Sequence, residues 1–185
     1  MKKLQILGIL FFAIILSSCN QDSSKMVKQI NDAEKELYAA GSPIPDKTKV
    51  KEILDLYTKF ADTYSKDTMA PVYLYKAANL SMNTNQNEGA IALLDRIIKD
   101  YSNFSKLPEV YFLKAFIYDN NIKNIAKARE AYTVFLQKFP KNDLANDASI
   151  SLDNLGKTPE EIINGFKTKE IQKSDSMVAA QQKKK

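Results

Sequence analysis

A pattern of 34 residues occurs twice between Pro71 and Asn142, offset by 38 positions. Laying Leu74 on Phe112 places Ala77 on Ala115, Ala90 on Ala128, Leu94 on Tyr132, Ile97 on Phe135 and Ser102 on Pro140. Self-similarity at a fixed period constrains a fold more than local propensity does, because each unit must bury its apolar face against the next. Inside each unit the apolar residues recur every three or four positions, the helical period. Ala77, Ala90, Leu94, Ala115, Ala128, Tyr132 and Pro140 are therefore the residues expected to set the packing of one unit on another. Small residues let helix backbones approach closely, and a larger side chain there costs about 1–3 kcal/mol by overpacking.

These residues resemble the tetratricopeptide repeat (TPR), in which two antiparallel helices meet at small residues and stack on the next pair. The resemblance implies an all-α, right-handed solenoid of about three helical hairpins closed by C-terminal capping helices. Full repeats are expected at 71–104 and 109–142. Upstream, Val27, Ile30, Ala33, Leu37 and Tyr38 form one helical stripe, which stops at Gly41 and Ser42-Pro43-Ile44-Pro45. Val50, Ile53, Leu54, Tyr57, Phe60, Ala61 and Tyr64 form another, so 26–67 reads as a degenerate first hairpin. Two departures stand out: Phe116 occupies a place that is usually small, and Ser81 and Asp119 occupy one that is usually aromatic.

The stretch 143–172 is expected to supply the capping helices. Gly156 stops one helix, and Thr158-Pro159-Glu160-Glu161 has the form of a capping box that starts the next. Ile162, Ile163 and Phe166 give that helix an apolar face, which is expected to close the stack. The chain beyond, 173–185, is polar and ends in Lys183-Lys184-Lys185, and is expected to be a disordered tail.

The first 18 residues read as a secretory signal: Lys2-Lys3, then an apolar run from Leu4 to Leu16, then small residues. The run is too short to span a bilayer, which takes about 20 residues. Leu16-Ser17-Ser18-Cys19 resembles the bacterial lipobox, which implies cleavage before Cys19 and lipidation of that cysteine. An ordinary cleaved signal and an uncleaved anchor are the alternatives. Residues 19–25 would tether the fold to lipid, and Asn20 in place of Asp favours the outer membrane by the enterobacterial sorting rule. From Glu34 to Phe166 the chain is similar in architecture to the BamD-like and Tol-Pal-associated TPR lipoproteins.

The chemistry available is narrow. With no histidine and one cysteine, sites built from Cys and His, Ser-His-Asp devices and intrachain disulfides are excluded. Five scattered glycines form no phosphate loop. No catalytic, metal or cofactor site is expected, and the evenly spread net charge of +5 does not argue for nucleic acid. Binding is what remains. The TPR register implies a concave face carrying Val72, Tyr75, Asn79, Met82 and Asn83 in one repeat. In the next it carries Val110, Leu113, Ile117, Asn120 and Asn121, with Tyr38 extending it upstream. Such a face suits a segment of a protein partner in the cell envelope. Two alternatives stay open: a short solenoid that folds on itself and buries these residues, and a glycan-binding accessory protein.

Overall fold

The computed structural model describes residues 23–37, 39 and 46–182, and among them every regular element is helical. Helix α1 covers 23–37. It is followed by α2 (Lys47–Thr63), α3 (Met69–Asn83), α4 (Asn87–Asp100) and α5 (Leu107–Phe116). A π-helical turn, Ile117–Asn121, extends α5; then come α6 (Ile125–Lys138), α7 (Ala145–Asn154) and α8 (Pro159–Gln182). The signal segment, Cys19, Tyr38, the Pro43–Pro45 connection and the three terminal lysines lie outside the described residues.

Local chemistry sets the boundaries. Asp46 Oδ1 accepts from the backbone N–H groups of Thr48 and Lys49 at 2.9 and 3.0 Å, capping α2. Asn124 caps α6 through Lys127 N–H at 3.0 Å. Thr158 and Glu161 form the expected reciprocal box: Thr158 N–H donates to Glu161 Oε2 at 2.7 Å, and Glu161 N–H donates to Thr158 Oγ1 at 3.2 Å. Gly156 takes φ +79°, the left-handed conformation that ends α7.

The repeat is visible in the backbone itself. Tyr64, Tyr101 and Phe139, 37 and then 38 positions apart, end α2, α4 and α6. Their φ and ψ values fall together, −120° and 49°, −132° and 58°, −131° and 52°. Each N–H donates to the carbonyl four residues back, of Phe60, Ile97 and Phe135. Three residues on, Asp67, Phe104 and Asn142 donate to those same aromatic residues, and Ala70, Leu107 and Ala145 then donate to them in turn. The connection leaving α2 is thus the same object as those leaving α4 and α6. Inside the hairpins the period holds too, with Asn85 and Lys123, 38 positions apart, at φ 61° and 59°.

The core runs along the stack as three clusters. Ile30, Leu37, Val50, Ile53, Tyr57, Phe60, Tyr73 and Ala77 join α1, α2 and α3. Ala61, Leu74, Ala78, Ala90, Leu94, Ile97, Val110 and Ile117 join α2, α3, α4 and α5. Ala115, Ala128, Tyr132, Phe135, Ala148 and Leu155 join α5, α6 and α7. Leu93 packs against the first two clusters and Tyr118 against the last two, so each hands on to the next. Ala77, Ala90, Leu94, Ala115, Ala128 and Tyr132 are all fully buried. Pro140 is not: it is exposed in the turn after α6, where a residue that cannot extend a helix ends one.

The C-terminal segment departs from expectation. Helix α7 packs on α6, but Ile163, Phe166 and Ile171 of α8 are 52, 55 and 60% exposed, so α8 does not close the stack. Nor does the backbone fray after Gln172; it is helical to Gln182. No Gly or Pro interrupts 173–182, and Lys, Met, Ala and Gln there are good helix formers. No helix among the described residues is long and apolar enough to cross a membrane.

Candidate functional site

Helix α3 buries two faces, one through Tyr73, Ala77 and Leu80 and one through Leu74 and Ala78. A third side stays accessible and carries Val72, Tyr75, Asn79, Met82 and Asn83. Met82 leans on the middle core cluster. The other four line a cleft of about 500 Å³, within the range of ligand pockets. Four residues expected on the inner face are thus brought together, all from one helix.

The rest of the cleft comes from residues the inner-face register does not include. Glu34 of α1, Tyr57 of α2 and Lys76 of α3 form one wall. Glu34 Oε1 accepts from both Tyr57 Oη at 2.8 Å and Lys76 Nζ at 2.7 Å. Lys76 Nζ also stands 5.7 Å from the centre of the Tyr73 ring, which stacks on Tyr57 at 5.5 Å. Three successive helices are tied together at this wall. The opposite wall is the α4–α5 connection, with Phe104, Ser105 and Lys106. Phe104 meets Tyr75 edge to face at 6.3 Å, and Lys106 Nζ lies 5.8 Å from the Tyr75 ring centre. The threefold recurrence of the inter-hairpin turn is the signal that points to this connection. It was hidden because its key residues differ at each occurrence: Asp67, Phe104 and Asn142.

Tyr75 is the centre of the cleft. Asn79 Nδ2 donates to its backbone carbonyl at 2.8 Å. Burial pushes its phenol above the ordinary value of 10.0, so it stays neutral through the physiological range. A neutral aromatic ring with an ammonium on its face and amides along one edge can hold apolar, aromatic and acidic groups. No group of His, Cys, Asp or Glu among the described residues is arranged to hold a metal ion.

The second half of the expected face is different. Val110 and Ile117 are fully buried in the middle cluster, and Leu113 packs against it. Valine, leucine and isoleucine at 110, 113 and 117 make one continuous apolar stripe on α5, and such a stripe goes inward. Phe116, the large residue in a usually small place, points outward at 38% exposure, so that place is not a close helix contact here. The π-turn then inserts an extra residue into the helical phase. Asn120 and Asn121 are exposed on it, with Asn120 Nδ2 donating to Phe116 O at 3.3 Å. None of these five residues lines the α3 cleft.

The sequence matches the tetratricopeptide repeat family at residues 73–103 and 109–142. No curated protein sequence matches the chain. The matched segments are α3–α4 and α5–α6 with their exit turns, the same two units that share the buried alanines. Repeats of this kind are protein–protein interaction modules. Across its described residues the chain is an all-helical stack that carries two tetratricopeptide repeats, with a third hairpin, α1–α2, ending in the same turn.

Proposed function

We propose that this chain is a lipid-anchored scaffold or adaptor of the bacterial cell envelope that holds another envelope protein in the α3 cleft. The observation that carries the reading is the partly buried Tyr75 ring, set between Phe104 and Lys106 in a cleft on the repeat stack. Aromatic residues in a partly desolvated pocket are the usual energetic centres of protein interfaces. The location rests on the signal-like first 18 residues and on Leu16-Ser17-Ser18-Cys19, and it carries the similarity to BamD-like and Tol-Pal-associated lipoproteins with it. A role in outer-membrane assembly or maintenance is the corresponding expectation. Two acyl chains or more at Cys19 would hold the protein stably, where a single chain would not.

Two experiments test this. A photo-crosslinking residue at Asn79 or Asn83 should capture a discrete partner in intact cells, whereas one at exposed Glu88 on α4 should not. Tyr75→Asp should abolish that capture with circular dichroism unchanged; recovery of the same partner by the variant would rule out the cleft. For the anchor, an alkyne-tagged fatty acid should label the wild-type chain and fail to label Cys19→Ala. Unlabelled wild-type protein would remove the envelope part of the reading.

A further inference from the structure

The α3 cleft does not end at Val72. A second hollow, of about 590 Å³, lies between the connection leaving α2 and the equivalent connection leaving α4. Val72, Phe104 and Ser105 line both spaces, so the two meet across an apolar saddle with one hydroxyl. The joined groove therefore leaves the accessible side of α3 and runs between two inter-hairpin turns stacked one repeat apart.

Its charges are sorted. In the α3 cleft Glu34 is taken up by Lys76 and Tyr57, while Lys106 makes no ion pair with any described residue. That leaves the Lys106 ammonium over the Tyr75 ring without an ion-pair partner among the described residues, with the Glu109 carboxylate also acting on that phenol. In the second hollow Asp67 and Asp100 outnumber Lys66. Among the described residues Asp100 pairs only with Arg96, at 3.8 Å, and Asp67 is engaged by the backbone N–H of Met69 at 2.8 Å. The groove is thus positive at one end, apolar at the saddle and negative at the other.

We propose that the joined groove takes an extended segment of the partner protein. An acidic side chain sits on Lys106, an apolar one on the Val72–Phe104 saddle, and a basic one between Asp67 and Asp100. This rests on the reading that the α3 cleft binds protein, and it names the chemistry of the segment bound. An extended segment fits better than a helix because side-chain amides and hydroxyls, Asn83, Ser102, Asn103 and Ser105, line the path. A helix has already satisfied its main-chain groups internally, whereas an extended chain offers them. Opposite charges at the two ends also fix the direction of the segment, since reversing it sets like charges together.

The test is selection of random 12-residue peptides displayed on phage against the full-length chain in detergent. Retained peptides should carry Asp or Glu on one side of an apolar residue and Lys or Arg on the other, in one order only. Lys106→Glu should lower their retention at least tenfold and, in a fresh selection, replace the acidic residue by a basic one. Asp67→Asn with Asp100→Asn should erase the preference for the basic residue while circular dichroism stays unchanged. Retention that depends on Tyr75 but is indifferent to these charge changes overturns the inference and leaves the cleft reading standing. Retention that ignores Tyr75→Asp, or no selection at all, overturns both.

Discussion

Two residues illustrate how much the environment of a side chain decides. Ile117 and Tyr75 belong to the same expected inner face, yet Ile117 is fully buried and Tyr75 only partly so. Ile117→Ala should therefore cost about 2–5 kcal/mol in urea unfolding, while Tyr75→Asp should leave the native circular dichroism spectrum intact. A second contrast concerns the hairpin turns. Asn85 and Lys123 both hold φ near +60°; asparagine tolerates that conformation, and a long side chain is disfavoured there by about 1–2 kcal/mol. Lys123 is exposed, so Lys123→Asn should lose no packing and raise stability by about 1 kcal/mol, read as an increase in Tm. The alanine pairs needed no coordinates to be found, because close approach of helices demands small residues and two of them recur at one offset. The burial of Val110 and Ile117 was not legible in the same way. A family register specifies which positions line a groove on average, whereas the phase of α5 is set by its own apolar stripe and by the π-turn that follows.

At the scale of helices, the caps were readable because they are local chemistry: Thr158 with Glu161, and Gly156 after α7, act within four residues of chain. The position of α8 was not, because whether an apolar face finds a partner is a long-range fact. Its exposed Ile163, Phe166 and Ile171 leave the stack little to lose. Removing residues 159–185 should shift the urea midpoint of the remaining chain by no more than the measurement error. A large drop would show that α8 covers core after all. The start of α2 carries a pH dependence. Hydrogen bonds from the Lys49 and Thr48 backbone hold the Asp46 carboxyl below its ordinary 3.8. Its contribution is present above that value and is lost as the pH falls through the lower value it has in the fold. Acid titration should melt this end of α2 in wild type, and Asp46→Asn should flatten that part of the helicity curve.

For the whole molecule, three clusters joined only through neighbours predict a nearly one-dimensional energy landscape. Ile53→Val in the first cluster should cost about 0.5–1.5 kcal/mol. Combined with Phe135→Leu in the third cluster, it should add to that variant's cost within about 0.5 kcal/mol. Paired instead with Phe60→Leu in its own cluster, it should show a measurable coupling energy. The repeat fold also accounts for the siting of the groove, since one inter-hairpin turn stacked on its equivalent leaves the hollow between them.

The 24 residues of α8, at 1.5 Å per residue, make a rod about 36 Å long. Because neither α8 nor its C-terminal end lines the Tyr75 cleft, a fluorophore or affinity handle joined after Gln182 leaves that cleft unobstructed. Labelling at that end reports on where the protein is without touching what it holds, whereas a label near Ser105 would obstruct the very passage under study.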